Sequence, residues 1–209
     1  MTEVNYLESL NPLQYESVCS TEGPNLIIAG AGTGKTKVLT TRVAHIIDNN
    51  LAFPSQILCV TFTNKAAREM SERVQKLVSQ NMERMPWMGT FHSIGAKIIR
   101  NHAEVIGLKQ SFTILDKDDQ LSLIKQIIKA ENLDQSQFSP KLIQSKIDHW
   151  KNKALNPNDI KSESLDNLVD EKSLSIYKIY QARLFEINCL DFGDLLLQCI
   201  NLFKVTDIH

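Results

Sequence analysis

The chain has 209 residues, 43% of them hydrophobic, with 23 Lys and Arg against 24 Asp and Glu. That length supports one large domain or two small ones, and a 22% charged fraction with only eight Gly and six Pro excludes a disordered or fibrous chain. Charge divides evenly about Gly107, with 10 basic and 9 acidic residues up to it and 13 and 15 after it, so any nucleic-acid site is a local basic track rather than a whole-domain field. No apolar run approaches the ~20 residues a membrane span needs. The first residues, with Glu3, Glu8 and Glu16, do not resemble a secretory signal. Cys19, Cys59, Cys189 and Cys199 form no CxxC pair and read as thiols of a reducing, cytoplasmic compartment.

In chain order, Asn11-Pro12 predicts an N-cap with proline at the first helical position, opening a short helix through about Cys19. Asn25–Ala29 (NLIIA) is an apolar run ending at glycine and predicts a buried strand. Leu39, Val43, Ile46 and Ile47 recur at helical spacing from Lys35 to Asn49-Asn50. Ile57–Phe62 predicts a second buried strand, followed by a helix with Ala67, Met70, Val74, Leu77 and Val78 on one face. Trp87–Thr90 predicts a third strand, and a helix from about His92 to His102 follows it. Strand and helix alternating in this way argue for a parallel α/β sheet. Beyond Gly107 the pattern turns helical, with Asp116 and Ser139-Pro140 as helix starts and a further helix over Leu174–Ile187. Asp191 then caps an amphipathic helix carrying Leu195, Leu196, Ile200 and Phe203.

The strongest chemical signal is Ala29-Gly30-Ala31-Gly32-Thr33-Gly34-Lys35-Thr36, placed between a predicted strand and a predicted helix. In that context the glycines let consecutive N–H groups converge on an anion, and the helix N-terminus adds positive potential. Lys35 would reach the β- and γ-phosphates of a nucleotide, and the Thr36 hydroxyl would ligate Mg²⁺. The strict pattern has glycine where Ala29 stands, a position small enough for alanine.

Three more stretches surround this loop in order: Leu10-Asn11-Pro12-Leu13-Gln14, Val60-Thr61-Phe62-Thr63-Asn64-Lys65-Ala66-Ala67, and Gly89-Thr90-Phe91-His92-Ser93. Together they resemble the N-terminal motifs of UvrD/Rep/PcrA-type superfamily 1 DNA helicases. The similarity continues through Ile114-Leu115-Asp116, Asp119-Gln120-Leu121 and Leu190-Asp191-Phe192-Gly193-Asp194-Leu195. The resemblance implies an incomplete RecA-like parallel sheet with flanking helices, of the phosphate-loop NTPase type, plus a mainly α-helical insertion. Residues 1–109 would be the ATP-binding part of the first motor domain, 110–189 the insertion, and 190–209 a return helix.

It also implies ATP and Mg²⁺ as cofactors, single-stranded DNA or single/double-strand junctions as partners, and 3′-to-5′ helicase activity in DNA repair or replication near the nucleoid. Gln14 has a donor and an acceptor side by side, suited to adenine's N6/N7 edge. By residue type alone it reads more readily as a polar helix residue; the resemblance reverses that and assigns it to the base. Phe62, Thr63, Asn64, Lys65, Phe91 and His92 would line the DNA path, although each phenylalanine fits a core and Thr63-Asn64 fits a simple N-cap.

The Asp116, Asp118 and Asp119 cluster is read as a helix start stabilised by the dipole rather than as a metal site. The second ATPase motif of such enzymes is an apolar strand ending in Asp-Glu. The only Asp-Glu pair, Asp170-Glu171, follows Asp166, Asn167, Leu168 and Val169, and is rejected. The expectation is a chain that stops before that motif and before the C-terminal helicase domains, binds nucleotide or DNA without turning either over, and associates through an open sheet edge beside residues 25–29. An unrelated phosphate-loop kinase is the rival enzyme, and the single arginine beyond Arg100, Arg183, argues against its arginine-rich lid.

Overall fold

A computed structural model describes residues 6–78, 85–161, 165 and 167–205. The fold is α/β, with two small parallel sheets of two strands each among the described residues. The chain divides into two compact units, Met1–Ile94 and Gly95–His209.

In the first unit, helix α1 (Pro12–Cys19) starts as its sequence dictates. Asn11 is the N-cap, its side chain accepts from the Gln14 N–H, and Gln14 completes a capping box. Helix α2 (Lys35–Asp48) follows the phosphate loop. Arg42 Nη1 donates to the Ser17 carbonyl at 2.6 Å and ties α2 to α1. Strand β1 (Cys59–Thr61) leads to helix α3 (Asn64–Leu77), and strand β2 (Met88–Thr90) leads directly to the first residues of helix α4 (Phe91–Asn101). The two strands are parallel, with Cys59 opposite Met88, Val60 opposite Gly89 and Thr61 opposite Thr90. Val43, Ala44, Cys59, Met70 and Val74 form the core beneath them. Burial pushes the Cys59 thiol up to about 11, leaving it uncharged at neutral pH.

Three expectations change here. Asn25–Ala29 joins no ladder among the described residues, on either side. Leu26 and Ile28 are 87% and 89% exposed, so the run is not buried. A strand exists only through a neighbour's hydrogen bonds, and β1 and β2 pair with each other instead. The second strand covers three residues rather than Ile57–Phe62, with Leu58 and Phe62 both exposed.

In the second unit, strand β3 (Thr113–Leu115) pairs in parallel with strand β4 (Cys189–Asp191). Neither was expected as a strand. Between them lie helices α5 (Lys117–Ala130), α6 (Pro140–Asn152) and α7 (Leu168–Glu186). Their shared core includes Ile124, Ile127, Ile143, Ile147, Tyr177, Tyr180 and Leu184. Helix α8 (Asp194–Val205) buries Leu195, Leu197, Cys199 and Leu202. The third change is here: Leu196, Ile200 and Phe203 from the expected apolar face are partly exposed, because the helix is buried on a neighbouring stripe. Residues 206–209 of the expected return helix lie outside the described residues.

Candidate functional site: the phosphate loop and the strand ends

The loop from Gly30 to Gly34 bends into α2 through two left-handed glycines, Gly32 at φ 78° and Gly34 at φ 84°. Gly34 is the N-cap of α2 and offers no side chain, so the first amides of the helix lack an intramolecular cap. A Cβ at this position would stand 2.9 Å from Gln14 Nε2, a second reason for glycine beyond its φ. Ala29 carries no positive φ, so alanine there is unstrained.

Lys35, the first residue of α2, turns its ammonium back over the loop. Nζ donates to the Ala29 carbonyl at 3.1 Å and to the Gly30 carbonyl at 2.6 Å. The Thr33 hydroxyl closes the turn by donating to the Gly30 carbonyl at 2.8 Å. The result is an exposed loop with a cation folded over it and uncapped helical N–H groups at its end. That donor set suits a phosphate group. The Thr36 hydroxyl beside it is exposed and makes no hydrogen bond to the described residues.

Gln14 reaches this loop from α1. Its Nε2 donates to the Thr33 carbonyl at 3.1 Å, across 19 residues of sequence, and its Oε1 accepts from the Asn11 N–H at 3.1 Å. The structure thus brings Gln14 together with Ala29, Gly30, Ala31, Gly32, Thr33, Gly34, Lys35 and Thr36.

The other candidate residues gather at the strand ends. Because Thr61 faces Thr90 in the parallel register, the next residues out, Phe62 and Phe91, meet with ring centroids 5.3 Å apart and planes tilted by 46°. Phe62 is 88% exposed and Phe91 39%, so neither ring is core. Thr63 is the N-cap of α3, accepting from the Ala66 N–H at 3.1 Å. Asn64 is exposed, and Lys65 lies 4.0 Å from Glu69, a contact worth little in solvent. Thr90 and Ser93 cap the start of α4 reciprocally, the Thr90 N–H donating to Ser93 Oγ and the Ser93 N–H to Thr90 Oγ1. His92, half-buried beside them, is held below the ordinary imidazole range by burial.

Among the acidic residues, Asp116 accepts from the Asp118 and Asp119 N–H groups and caps α5. No cluster able to hold a metal ion occurs among the described residues. Asp170 and Glu171 lie in the first turn of α7, where Asp170 pairs with Lys146.

One cluster escaped the sequence reading. Lys151 of α6 bonds to Asp191 at 2.6 Å and Asp194 at 2.8 Å, with all three side chains fully buried. Tyr180 donates to Asp191, and Gln181 donates to Asp194. Asp191 and Asp194 stood within a recognised motif, but nothing in the spacing pointed to a lysine forty residues earlier.

Comparison with known proteins bears on both parts of this site. The UvrD/REP helicase N-terminal domain model matches residues 10–208. The chain is 46% identical over 205 residues to the "Probable DNA helicase II homolog" of Rickettsia conorii, covering 97% of this chain and 31% of that protein. It is 46% identical over 198 residues to the "ATP-dependent DNA helicase PcrA" of Staphylococcus aureus, covering 95% of this chain and 27% of that one. The chain therefore spans about three-tenths of the length of the curated relatives it matches. The family match runs from Leu10, ahead of the capping box, through the phosphate loop, both phenylalanines and the Lys151 cluster, and the chain belongs to the UvrD/REP helicase N-terminal domain family.

Proposed function

We propose that these residues form the ATP-binding and single-stranded-DNA-binding N-terminal portion of an ATP-dependent 3′-to-5′ DNA helicase. The observation that carries the reading is Lys35, turned back over a glycine loop that Gln14 braces at Thr33 and that leads into an uncapped helix start. Lys35 would hold the β- and γ-phosphates, Thr36 would ligate the Mg²⁺ that accompanies ATP, and Gln14 would meet the adenine edge. A bound Mg²⁺ supplies charge neutralisation at the phosphates. DNA would lie across Phe62, Thr63, Asn64, Lys65, Phe91 and His92, with the rings stacking bases and the polar groups meeting the backbone.

Residues 1–109 are proposed as motor domain, with 110–189 as its helical insertion and 190–209 as the return segment. A cytoplasmic, nucleoid-associated role in repair or replication, on single strands or single/double-strand junctions, fits this chemistry.

Of the two activities, binding is the one these 209 residues provide by themselves. Their only Asp-Glu pair lies in the first turn of α7, with Asp170 paired to Lys146, rather than at the end of an apolar strand. Single-turnover phosphate release, with and without single-stranded DNA, tests turnover. Titration of MgATP into wild-type chain and Lys35→Ala tests binding. Saturable binding lost in Lys35→Ala is the expected result, and equal affinities would remove the phosphate-loop role.

A further inference from the structure

In the second unit, helix α6 turns one face toward a groove of about 750 Å³. Leu142, Lys146, His149 and Trp150 recur along that face at helical spacing, with Lys153 at the C-cap, over about 16 Å of helix axis. The segment from Leu155 to Lys161 lines the groove as well. Its floor is apolar and is fixed before anything enters. Trp150 and Leu155 pack on the buried cluster around Tyr177, and Ile160 belongs to that cluster. The Trp150 indole stacks on the Tyr177 ring, with centroids 5.9 Å apart and planes 14° from parallel. The Tyr177 hydroxyl donates to the Leu155 carbonyl at 3.1 Å. Asp159 closes the next turn, accepting from the Asn156 N–H and from its Nδ2, both at 2.8 Å. A floor held in this way lowers the ordering cost of binding.

The rim is basic. His149, Lys153 and Lys161 are exposed there. Of the two carboxylates in the lining, Asp170 is paired with Lys146 and Asp159 is held by Asn156. Lys153 makes no ion pair with the described residues. We propose that this groove is a docking site for an acidic, amphipathic segment of a partner protein. Charge complementarity selects the occupant: carboxylates to meet the lysines of the rim, with leucine or aromatic side chains against the floor. The length along α6 takes about three turns of a partner helix or about five residues of extended chain. A nucleic-acid strand fits less well, because two carboxylates and no arginine line the groove among the described residues.

Selection of a random dodecapeptide library, displayed on phage, against the 209-residue chain tests this. The enriched peptides are expected to be acidic and to carry leucine or aromatic residues. Synthetic copies, measured by fluorescence anisotropy, should bind Lys153→Glu at least about fivefold more weakly, with a slower association and a changed salt dependence. Leu142→Glu sets a carboxylate against those of the peptide and should weaken binding at least about tenfold. Lys141→Glu makes the same charge change on an exposed neighbour outside the lining, and should leave affinity within about twofold at physiological salt. Circular dichroism melting reports folding of each variant, and Lys153→Gln replaces Lys153→Glu if the latter does not fold. Failure to enrich acidic peptides, or equal peptide binding by wild type, Lys153→Glu and Leu142→Glu, overturns the proposal. Mixed-sequence DNA whose affinity falls in Lys153→Glu, with peptide binding unchanged, overturns it in favour of a nucleic-acid site. A dimer in sedimentation velocity that Lys153→Glu abolishes overturns it in favour of a second copy of the chain.

Discussion

Lys151 and Asp191 form an ion pair of 2.6 Å in which neither side chain has any exposure. Burial opposes charge on Asp191, but the Lys151 ammonium, the Asp194 N–H and the Tyr180 hydroxyl together hold its carboxyl below the usual range. Burial pushes Asp194 above that range, and the neighbouring Asp191 charge adds to the shift. Asp191 thus carries the negative charge that balances Lys151. Lys151→Met should cost about 3–5 kcal/mol, because it strands a buried carboxylate. Asp194→Asn should cost less than Asp191→Asn. For Asp191, whose folded pKa is depressed, the stabilisation is present above its unfolded value of about 3.9 and is lost as pH falls below it. Urea unfolding of the three variants across that pH range checks all of this, and a reversed order of the two Asn variants would contradict the charge assignment.

Phe62 offers a test that separates binding from folding. With 88% of its surface exposed, Phe62→Ala should change stability by no more than about 0.5 kcal/mol. If the ring stacks a base, single-stranded DNA affinity should fall by about 1–3 kcal/mol. Lys65→Ala should instead weaken binding evenly across sequences and reduce the salt slope by about 0.7. Fluorescence anisotropy over a salt series distinguishes the two effects. Unaltered affinity in Phe62→Ala would end the stacking assignment.

His92 predicts a pH dependence of DNA binding. Its imidazole is held below the ordinary value of about 6.5 by burial, so it is neutral near pH 7.5. The neutral form is the one folding favours, so its contribution to stability is present above about 6.5 and is lost as pH falls through the lower folded value. A DNA phosphate beside it would favour protonation. Affinity should therefore rise between pH 7.5 and 5.5, with a steeper salt slope at the lower pH, and His92→Gln should flatten that rise. Anisotropy at the two pH values is the measurement, and an identical pH profile in His92→Gln would exclude His92 from the contact.

Gly95 sits where α4 meets the start of α8. A Cβ there would approach the Leu195 carbonyl oxygen to 2.7 Å and Cys199 Sγ to 3.5 Å. The first neighbour is backbone and cannot swing aside. Gly95→Ala should destabilise the second unit by about 1–3 kcal/mol despite the better helix propensity of alanine. Thermal melting by circular dichroism reads the loss, and a melting point at or above the wild-type value would show that the two backbones separate freely.

Helix starts were the most legible feature of the sequence. Asn11-Pro12, Asp116 and Ser139-Pro140 mark the beginnings of α1, α5 and α6 because a side-chain cap (Asn11, Asp116) or a proline at the first helical position (Pro12, Pro140) acts within four residues. Strands were less legible, since a ladder depends on a partner far away in sequence. The apolar run Asn25–Ala29 forms none among the described residues, while Thr113–Leu115 and Cys189–Asp191 pair across more than seventy residues from segments too short to show alternation. Within the site, the glycine loop and Lys35 were readable from the motif. The bond from Gln14 to the Thr33 carbonyl and the contact between Phe62 and Phe91 were not, because both depend on how separate elements come together.

The two carbonyl bonds of Lys35 bear on kinetics. With two of its three N–H donors on the Ala29 and Gly30 carbonyls, the ammonium would have to exchange those bonds for new ones if, as proposed, a phosphate enters the loop. Under that proposal capture would be an encounter followed by release of the lysine from its own loop, and the second step would be independent of ligand concentration. Rapid mixing with a fluorescent ATP analogue should show an observed rate that rises with concentration and then levels off, the plateau reporting how quickly Lys35 lets go.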